Sequence, residues 1–225
     1  MDIHLIPAQE ARIEMRVVNS RFIATAAPAF SVDEAKAFIA RIKSEFYDAS
    51  HNVPVYLIGH GASVIAHCGD DGEPSGTAGR PALAVLQGSG LGNVVVVVTR
   101  YFGGTKLGTG GLVRAYGDAV REVLAVLPRA AQVPTHTVLL AVSYPAFERV
   151  RLLIQAHGGK ILEQTFEADV TIEAQFLVER FAAFQTALAE LSNGAWQAEI
   201  VETDEATIMP IEALDELRQQ TKKAG

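Results

Sequence analysis

The feature that most constrains the fold is a run of five valines, Val94 to Val98, in the first half of the chain. A run this apolar and this short cannot cross a bilayer, and it is typical of a buried strand. We therefore predict a strand from Asn93 to Arg100. A glycine-rich segment follows it, and apolar residues at helical spacing then predict a helix from Leu112 to Leu127.

The rest of the first half alternates between strands and helices. Ser31 and Glu34 form a capping box, which signals the start of a helix, and apolar residues at helical spacing follow it. Period-two alternation and turn residues predict strands over 20–26, 53–58 and 64–68. A helix is predicted over 77–87. Two prolines and no periodicity mark 128–134 as a linker. We therefore expect domains of residues 1–130 and 131–225.

The second half is predicted as strand, helix, strand, strand, helix, strand, which is the ferredoxin-like β-α-β-β-α-β order. Residues 170–176 alternate cleanly between apolar and polar side chains. Gly158 and Gly194 lie where the two helices should end, as expected for residues that turn left-handed. A polar helix over 211–223 closes the chain. The last strand is predicted from three apolar residues on one face: Trp196, Ala198 and Ile200.

Composition restricts the compartment and the partners. A single cysteine, Cys68, permits no internal disulfide, and no secretory signal is visible at the N-terminus, so we expect a cytoplasmic protein without membrane contact. The net charge is −7. Residues 1–130 hold 12 acidic and 12 basic side chains, whereas residues 131–225 hold 14 acidic and 7 basic ones. This balance argues against indiscriminate coating of nucleic acid, which depends on Lys and Arg.

Two segments of the first half contain clusters of charged residues or glycines, which are energetically costly to order in a fold. The first, here called the acidic turn, is residues 68–80 and holds Asp70, Asp71 and Glu73. Carboxylates so close together repel one another unless a cation or water compensates, and oxygen ligands of this kind suit Mg²⁺. The alternative interpretation is a strand-to-helix turn in which Ser75 or Thr77 caps the following helix. The residues themselves leave both interpretations open and identify no metal.

The second, here called the glycine segment, is residues 100–111. It lies between a strand and a helix, where backbone N–H groups and the helix dipole favour an anion. Arg100, Lys106 and Arg114 add positive charge, although neither the Walker A pattern nor the dinucleotide-binding glycine pattern fits. The alternative interpretation is that the glycines only supply backbone freedom around a tight packing point. No zinc-type cluster or catalytic triad can be assembled.

Four separated motifs resemble the signature of the YigZ/IMPACT family over roughly residues 15–128. They are Ser20–Ala24, His51–Pro54, Asp70–Gly79 and Arg100–Gly108; Gly69 stands where Ser is usual. The resemblance implies an α+β protein. Its first domain would be an α/β sandwich like the second domain of a small-subunit ribosomal protein and domain four of elongation factor G. Its ferredoxin-like second domain would resemble domain five of that factor.

In eukaryotic members, the family domain belongs to a translational regulator that restrains a stress kinase by competing for its ribosome-associated activator. Those proteins carry an additional N-terminal domain for that interaction, which we do not expect here, so the kinase role is not transferred. For bacterial members the resemblance implies a nucleic-acid or ribosome association and supplies no catalytic residue.

Three functions follow from these observations. The leading one is a translation-linked regulator that contacts RNA or the ribosome through the basic face from Arg80 to Arg121. The alternative is a Mg²⁺-dependent enzyme or binder of a phosphorylated or nucleotide-like small molecule, with the acidic turn holding the metal. A third is a protein-interaction module whose acidic second domain docks a basic partner. Whether the protein is an enzyme, and which cofactor it uses, is left open.

We predict that the acidic turn and the glycine segment face one cleft, because their opposite charges compensate each other when adjacent. At least one carboxylate of the turn should then lie within ion-pair reach of a basic residue at the glycine segment. The candidate ligand-binding residues are Arg21, Asp70, Asp71, Glu73, Ser75, Arg80, Arg100, Gly103, Gly104, Lys106, Gly108, Gly110 and Arg114.

Overall fold

The computed structural model describes residues 4–211, which form an α+β protein with five α-helices and two sheets over that range. The chain divides into two compact units, one ending at Ala130 and the other beginning at Ala131. The elements of the first unit are β1 (His4–Pro7), β2 (Ala11–Val17), β3 (Ser20–Pro28), α1 (Val32–Glu45), β4 (His51–Ile58), β5 (Ile65–Cys68), α2 (Gly79–Gln87), β6 (Val94–Tyr101) and α3 (Gly108–Val126).

The valine run is the centre of the first unit's antiparallel sheet, whose strand order is β2-β3-β6-β4-β5. Successive side chains of a strand point to opposite faces. Val94, Val96 and Val98 join the core beneath α2 and α3, whereas Val95 joins a second core beneath α1. Because helices cover both faces, β6 needs apolar residues at every position, and this explains the uninterrupted run.

The predicted capping box starts α1. The Ser31 hydroxyl accepts a hydrogen bond from the Glu34 N–H at 3.1 Å. The Glu34 carboxylate accepts one from the Phe30 N–H at 2.9 Å, one residue before the usual partner of such a box. The helix then buries Ala35 and Ile42 on the face of the sheet opposite α2 and α3.

Two boundaries differ by four residues or more from those predicted. Helix α3 begins at Gly108 and not at Leu112, so the end of the glycine segment is helical. The segment 128–134, predicted as an irregular linker, belongs to β7 (Arg129–Val142). Pro134 lies just outside the ladder that pairs this strand with Val170–Leu177, which begins at Thr135, so the missing N–H of the proline is tolerated.

The second unit follows the predicted ferredoxin-like order. After β7 come α4 (Tyr144–Ala156), β8 (Lys160–Phe166), β9 (Val170–Leu177), α5 (Val178–Ser192) and β10 (Glu199–Pro210). Strand β9 lies between β7 and β8, and β10 also pairs with β7. The inward residues of these strands pack against α4 and α5 around Phe176 and Phe184.

The last strand differs from its prediction. Strand β10 begins at Glu199, and Ile200 is 43% exposed, so Ile200 does not share a buried face with Ala198. The helix predicted over 211–223 lies outside the described residues apart from Ile211. None of the helices within residues 4–211 is long and apolar enough to cross a membrane.

Candidate functional site

The first carboxylate of the acidic turn, Asp70, caps helix α2. One of its oxygens accepts a hydrogen bond from the N–H of Gly76 at 2.8 Å, and the other accepts from Ala78 at 3.2 Å and from Gly79 at 2.8 Å. Burial opposes ionisation here, but these three amide hydrogen bonds outweigh it and hold the pKa of Asp70 below its usual range. Asp70 therefore acts as a capping and turn-forming residue.

The prediction that Ser75 or Thr77 caps α2 was wrong. Thr77 is buried, and its hydroxyl donates a 2.6 Å hydrogen bond to the carbonyl of Pro74. Ser75 is exposed within the turn. Asp70, which is nine residues upstream of the first helical residue, supplies the cap instead, because the turn folds back on itself before the helix begins.

The second carboxylate, Asp71, ties the turn to neighbouring elements. One oxygen accepts the Asn52 N–H at 2.6 Å, and the other pairs with the Lys43 ammonium at 2.5 Å. The Asp71 carbonyl lies 2.8 Å from Nδ1 of His51. Burial opposes ionisation, but the Lys43 ammonium and the Asn52 N–H prevail and hold the pKa of Asp71 below its usual range.

The third carboxylate, Glu73, is buried and pairs with Arg100 of the glycine segment. Its Oε1 accepts a 2.6 Å hydrogen bond from Nη1 of Arg100 and a 2.8 Å hydrogen bond from the Tyr116 hydroxyl. Burial and the Glu73 carboxylate raise the pKa of Tyr116 well above its usual value. Nε2 of His51 lies 3.7 Å from the same oxygen, and Nη2 of Arg100 donates to the Ser20 hydroxyl at 3.2 Å. The predicted ion pair between the two segments is therefore present.

The acidic turn does not fit a Mg²⁺ site. Its three carboxylates are directed at different partners: helix α2, Lys43 and Arg100. Across residues 4–211, no group of three or more His, Cys, Asp or Glu side chains could hold a metal ion. A hard cation would need these oxygens, but both oxygens of Asp70, both oxygens of Asp71 and Oε1 of Glu73 already bond within the protein.

The glycines of the glycine segment have two different roles. Gly103 packs against the backbone, since a Cβ there would lie 1.9 Å from the carbonyl oxygen of Asn19. Gly104 lies in the exposed loop with φ +81°, and Gly108, with φ +72°, opens helix α3. No side chain caps this helix at Leu107, and Gly110 is exposed in the first turn. Tight packing therefore explains Gly103, while the exposed glycines surround an uncapped helix N-terminus.

The acidic turn and the glycine segment share one cavity of about 330 Å³. Its polar walls come from Glu73, Arg100, Lys106 and the first residues of α3, Gly108 and Thr109. Its apolar walls are residues that our sequence reasoning missed: Pro74, Phe102, Leu107 and Leu112. The only signal for Phe102 in the sequence is an aromatic residue placed directly before a glycine pair.

Arg21 was predicted as a ligand-binding residue, but it does not line this cavity. In the register of β3 with β6, Arg21 lies opposite Tyr101 and Phe22 lies opposite Arg100. Paired residues share a face, so Arg21 and Arg100 are on opposite faces of the sheet. Arg21 instead pairs with Glu14 at 2.8 Å.

The remaining basic residues divide into paired and unpaired ones. Arg121 pairs with Asp118 on the same helix. Arg80, Lys106 and Arg114 are exposed and make no ion pair with any of residues 4–211. Of these three, only Lys106 lines the cavity.

Two protein families match the chain: the Impact N-terminal domain over residues 18–124, and a domain of unknown function, DUF1949, over residues 140–195. The fold and these matches define a two-domain protein of the IMPACT class. The chain is 36% identical over 203 residues to IMPACT family member YigZ of Escherichia coli strain K12, covering 90% of this chain and 100% of YigZ. The chain belongs to the IMPACT family.

Two solved structures are also similar to this chain. The crystal structure of a hypothetical protein superposes with a TM-score of 0.58 at 36% identity, over 90% of this chain and 98% of that protein. The structure of Yih1, described as a two-domain translational regulator, is similar at 23% identity and a TM-score of 0.33, over 54% of this chain and 46% of Yih1.

Proposed function

We propose that the protein is a translation-linked regulator in the cytoplasm that contacts RNA through the first unit, with RNA phosphates held at the N-terminus of α3. The observation that carries this proposal is the uncapped, glycine-rich start of a 19-residue helix beside exposed Lys106. Membership of the IMPACT family, which the sequence resemblance links to translation, agrees with it.

The start of α3 provides donors and positive potential together. The first N–H groups of a helix have no intrahelical acceptor, and the macrodipole places partial positive charge there. Gly108, Thr109 and Gly110 are exposed, so a phosphate oxygen can approach their N–H groups closely. Arg114 lies four residues after Gly110, and therefore on the same face of the helix.

The charge that meets RNA comes from the exposed cations and not from Arg100. Because Arg100 and Glu73 neutralise each other, that pair contributes little long-range field. Lys106, Arg114 and Arg80 remain, and the acidic excess lies in residues 131–225. We therefore expect few phosphate contacts, and a salt dependence of affinity of roughly 0.7 logarithmic units per contact for single-stranded RNA.

Co-sedimentation with ribosomes and fluorescence anisotropy with labelled RNA, each at low and high salt, test the proposal. The double variant Lys106→Ala/Arg114→Ala should bind more weakly, with a shallower salt slope by roughly 1.4 for two lost contacts. Arg16→Ala/Lys36→Ala is the matched control, because it removes two exposed cations on the α1 side of the sheet. No association of the wild-type protein at low salt, or equal losses in both double variants, would refute the proposal.

A second candidate function is binding of a small phosphorylated molecule, and the cavity of about 330 Å³ favours it. Cavities of this size lie at the lower end of those that hold small ligands. Thermal-shift measurements with nucleotides and sugar phosphates test it without added Mg²⁺. A ligand present at 100 times its dissociation constant should stabilise the protein by about 2.7 kcal/mol.

A further inference from the structure

We infer that the cavity between the acidic turn and the glycine segment takes one nucleotide unit, with its unpaired base stacked on Phe102 and its phosphate at the start of α3. This inference rests on the proposed function and narrows it to RNA with exposed bases, in preference to duplex. It is carried by three observations: an exposed aromatic ring, a buried cation with an unused donor, and a lining with two chemically different parts.

Phe102 is a large apolar side chain that is 49% exposed although its backbone is held in place. Its N–H donates to the Ser50 hydroxyl at 3.0 Å, and the next residue, Gly103, is packed against the Asn19 carbonyl. The backbone that carries the Phe102 ring is therefore held in position. A fixed, solvent-exposed ring beside positive charge is the arrangement on which nucleic-acid bases stack.

Arg100 lines the same cavity and retains a free donor. The residue is 4% exposed, and its guanidinium carbon lies 5.5 Å from the ring centroid of Phe22 and 5.6 Å from that of Phe102. Its two terminal nitrogens bond to Glu73 and Ser20, but the buried Nε has no hydrogen-bond partner among residues 4–211. A buried donor without an acceptor is costly, and a side-chain shift that brings Nε to an acceptor atom on a bound ligand would remove that cost.

The two parts of the lining match the two parts of a nucleotide. Pro74, Leu107 and Leu112 join Phe102 as the apolar wall, whereas Lys106 and the N–H groups at the start of α3 form the anion-binding side. A bare phosphate or a duplex backbone would use only the second part. A nucleotide with a free base uses both, and the bases of an RNA duplex are stacked within the helix and are not free.

Fluorescence anisotropy with the full chain tests this inference. A labelled single-stranded RNA of mixed sequence should bind more tightly than the same strand in duplex. Phe102→Ala should weaken single-strand binding roughly 5- to 150-fold, the range measured for loss of one stacked base, and Phe102→Trp should retain it. Phe30→Ala is the matched control, since Phe30 is an exposed phenylalanine, at 40%, that does not line the cavity. Thermal melting checks that each variant is folded.

Competition identifies the source of the nucleotide chemistry. If nucleoside monophosphates displace the labelled RNA at concentrations close to the dissociation constant of that RNA, the ligand is a free nucleotide. If they displace it only weakly, the ligand is RNA. Either result supports binding of a nucleotide unit. Displacement by inorganic phosphate as effective as by the monophosphates would overturn the base contact.

The proposed function and this inference fail in different ways. If the wild-type protein binds no RNA at low salt, the proposed function fails. If it binds RNA with the expected salt dependence, but duplex and Phe102→Ala bind as well as the single strand and wild type, only the base-stacking inference fails.

Discussion

The acidic turn and the glycine segment have similar prominence in the sequence, yet the structure uses them in opposite ways. All three carboxylates of the turn have partners inside the protein: the N-terminus of α2 for Asp70, Lys43 and a backbone N–H for Asp71, and Arg100 for Glu73. The glycine segment instead leaves the first N–H groups of α3 uncapped and the Phe102 ring half exposed.

This difference separates stabilising groups from binding groups. A polar group that is buried with partners is needed for folding, because removing one partner leaves the other unsatisfied. An exposed donor or cation with no partner costs little in water and remains available to a ligand. We therefore expect loss of a carboxylate of the acidic turn to lower stability, and loss of an exposed cation beside the start of α3 to weaken binding while leaving stability nearly intact.

The largest effect is expected for Glu73→Ala. The substitution leaves the buried guanidinium of Arg100 without its carboxylate and the Tyr116 hydroxyl without its acceptor. Breaking a buried pair from one side costs about 3–5 kcal/mol, measured as the free energy of unfolding in urea. Glu73→Gln is the control. It removes the charge but keeps an oxygen acceptor, so it should lower the free energy of unfolding by less than Glu73→Ala does. A loss below about 1 kcal/mol for Glu73→Ala would contradict the assignment of Glu73 as a structural residue.

A smaller loss of stability is expected for Asp70→Ala, since Asp70 is only partly buried and its partners are neutral amides. Loss of a helix cap of this kind costs about 1 kcal/mol. Asp70→Asn, which keeps one oxygen acceptor, should fall between Asp70→Ala and the wild type. Both variants should bind RNA as the wild type does, because Asp70 faces α2 and not the cavity.

Acid titration of stability is a second readout for the same residue. The pKa values of Asp70 and Asp71 are lower in the folded protein than in the unfolded chain, where an aspartate titrates at about 3.9. Their stabilising contribution is therefore complete above that unfolded value and is lost as the pH falls through the lower folded values. Asp70→Asn should flatten this acid limb. An acid limb unchanged by the substitution would contradict the role of Asp70 in the cap.

The smallest effect, and the opposite sign, is expected for Gly110→Ala. A Cβ at this exposed position would meet nothing within 4 Å, and the residue has no positive φ. Alanine should stabilise the start of α3 by roughly 0.5 kcal/mol because it lowers the entropy of the unfolded chain. The N–H is kept, so affinity for RNA should change little. Gly103→Ala is the contrasting variant, and it should destabilise, because its Cβ would collide with Asn19.

Much of the fold was predictable because it depends on local patterns. The valine run, the capping box before α1 and the alternation of β9 each indicate their element through side-chain spacing alone. The misplaced boundaries have local causes as well. Gly108 and Gly110 disfavour a helix by propensity, so the first turn of α3 was missed, and Pro134 led to a linker prediction where the chain is a strand.

The candidate site was predicted in part. Electrostatic compensation predicted an ion pair between a carboxylate of the acidic turn and a basic residue of the glycine segment. Glu73 and Arg100 form this pair. The apolar walls could not be predicted, because nothing in the spacing of Pro74, Phe102 and Leu112 indicates that they meet. Arg21, predicted as a ligand-binding residue, lies on the face of the sheet opposite Arg100, since a motif gives a residue's position in the sequence but the strand register decides its side of the sheet.

By itself, the sequence determined the order of the elements, the β-α-β-β-α-β pattern of the second unit, and the two charged segments of the first, because these follow from interactions between near neighbours. Only the tertiary structure decided which charges remain available. Asp70, Asp71 and Glu73 are equivalent carboxylates in the sequence, and their different partners come from elements up to 43 residues away. Burial and partner distance set the free energy of a charged group, and both are properties of the folded chain.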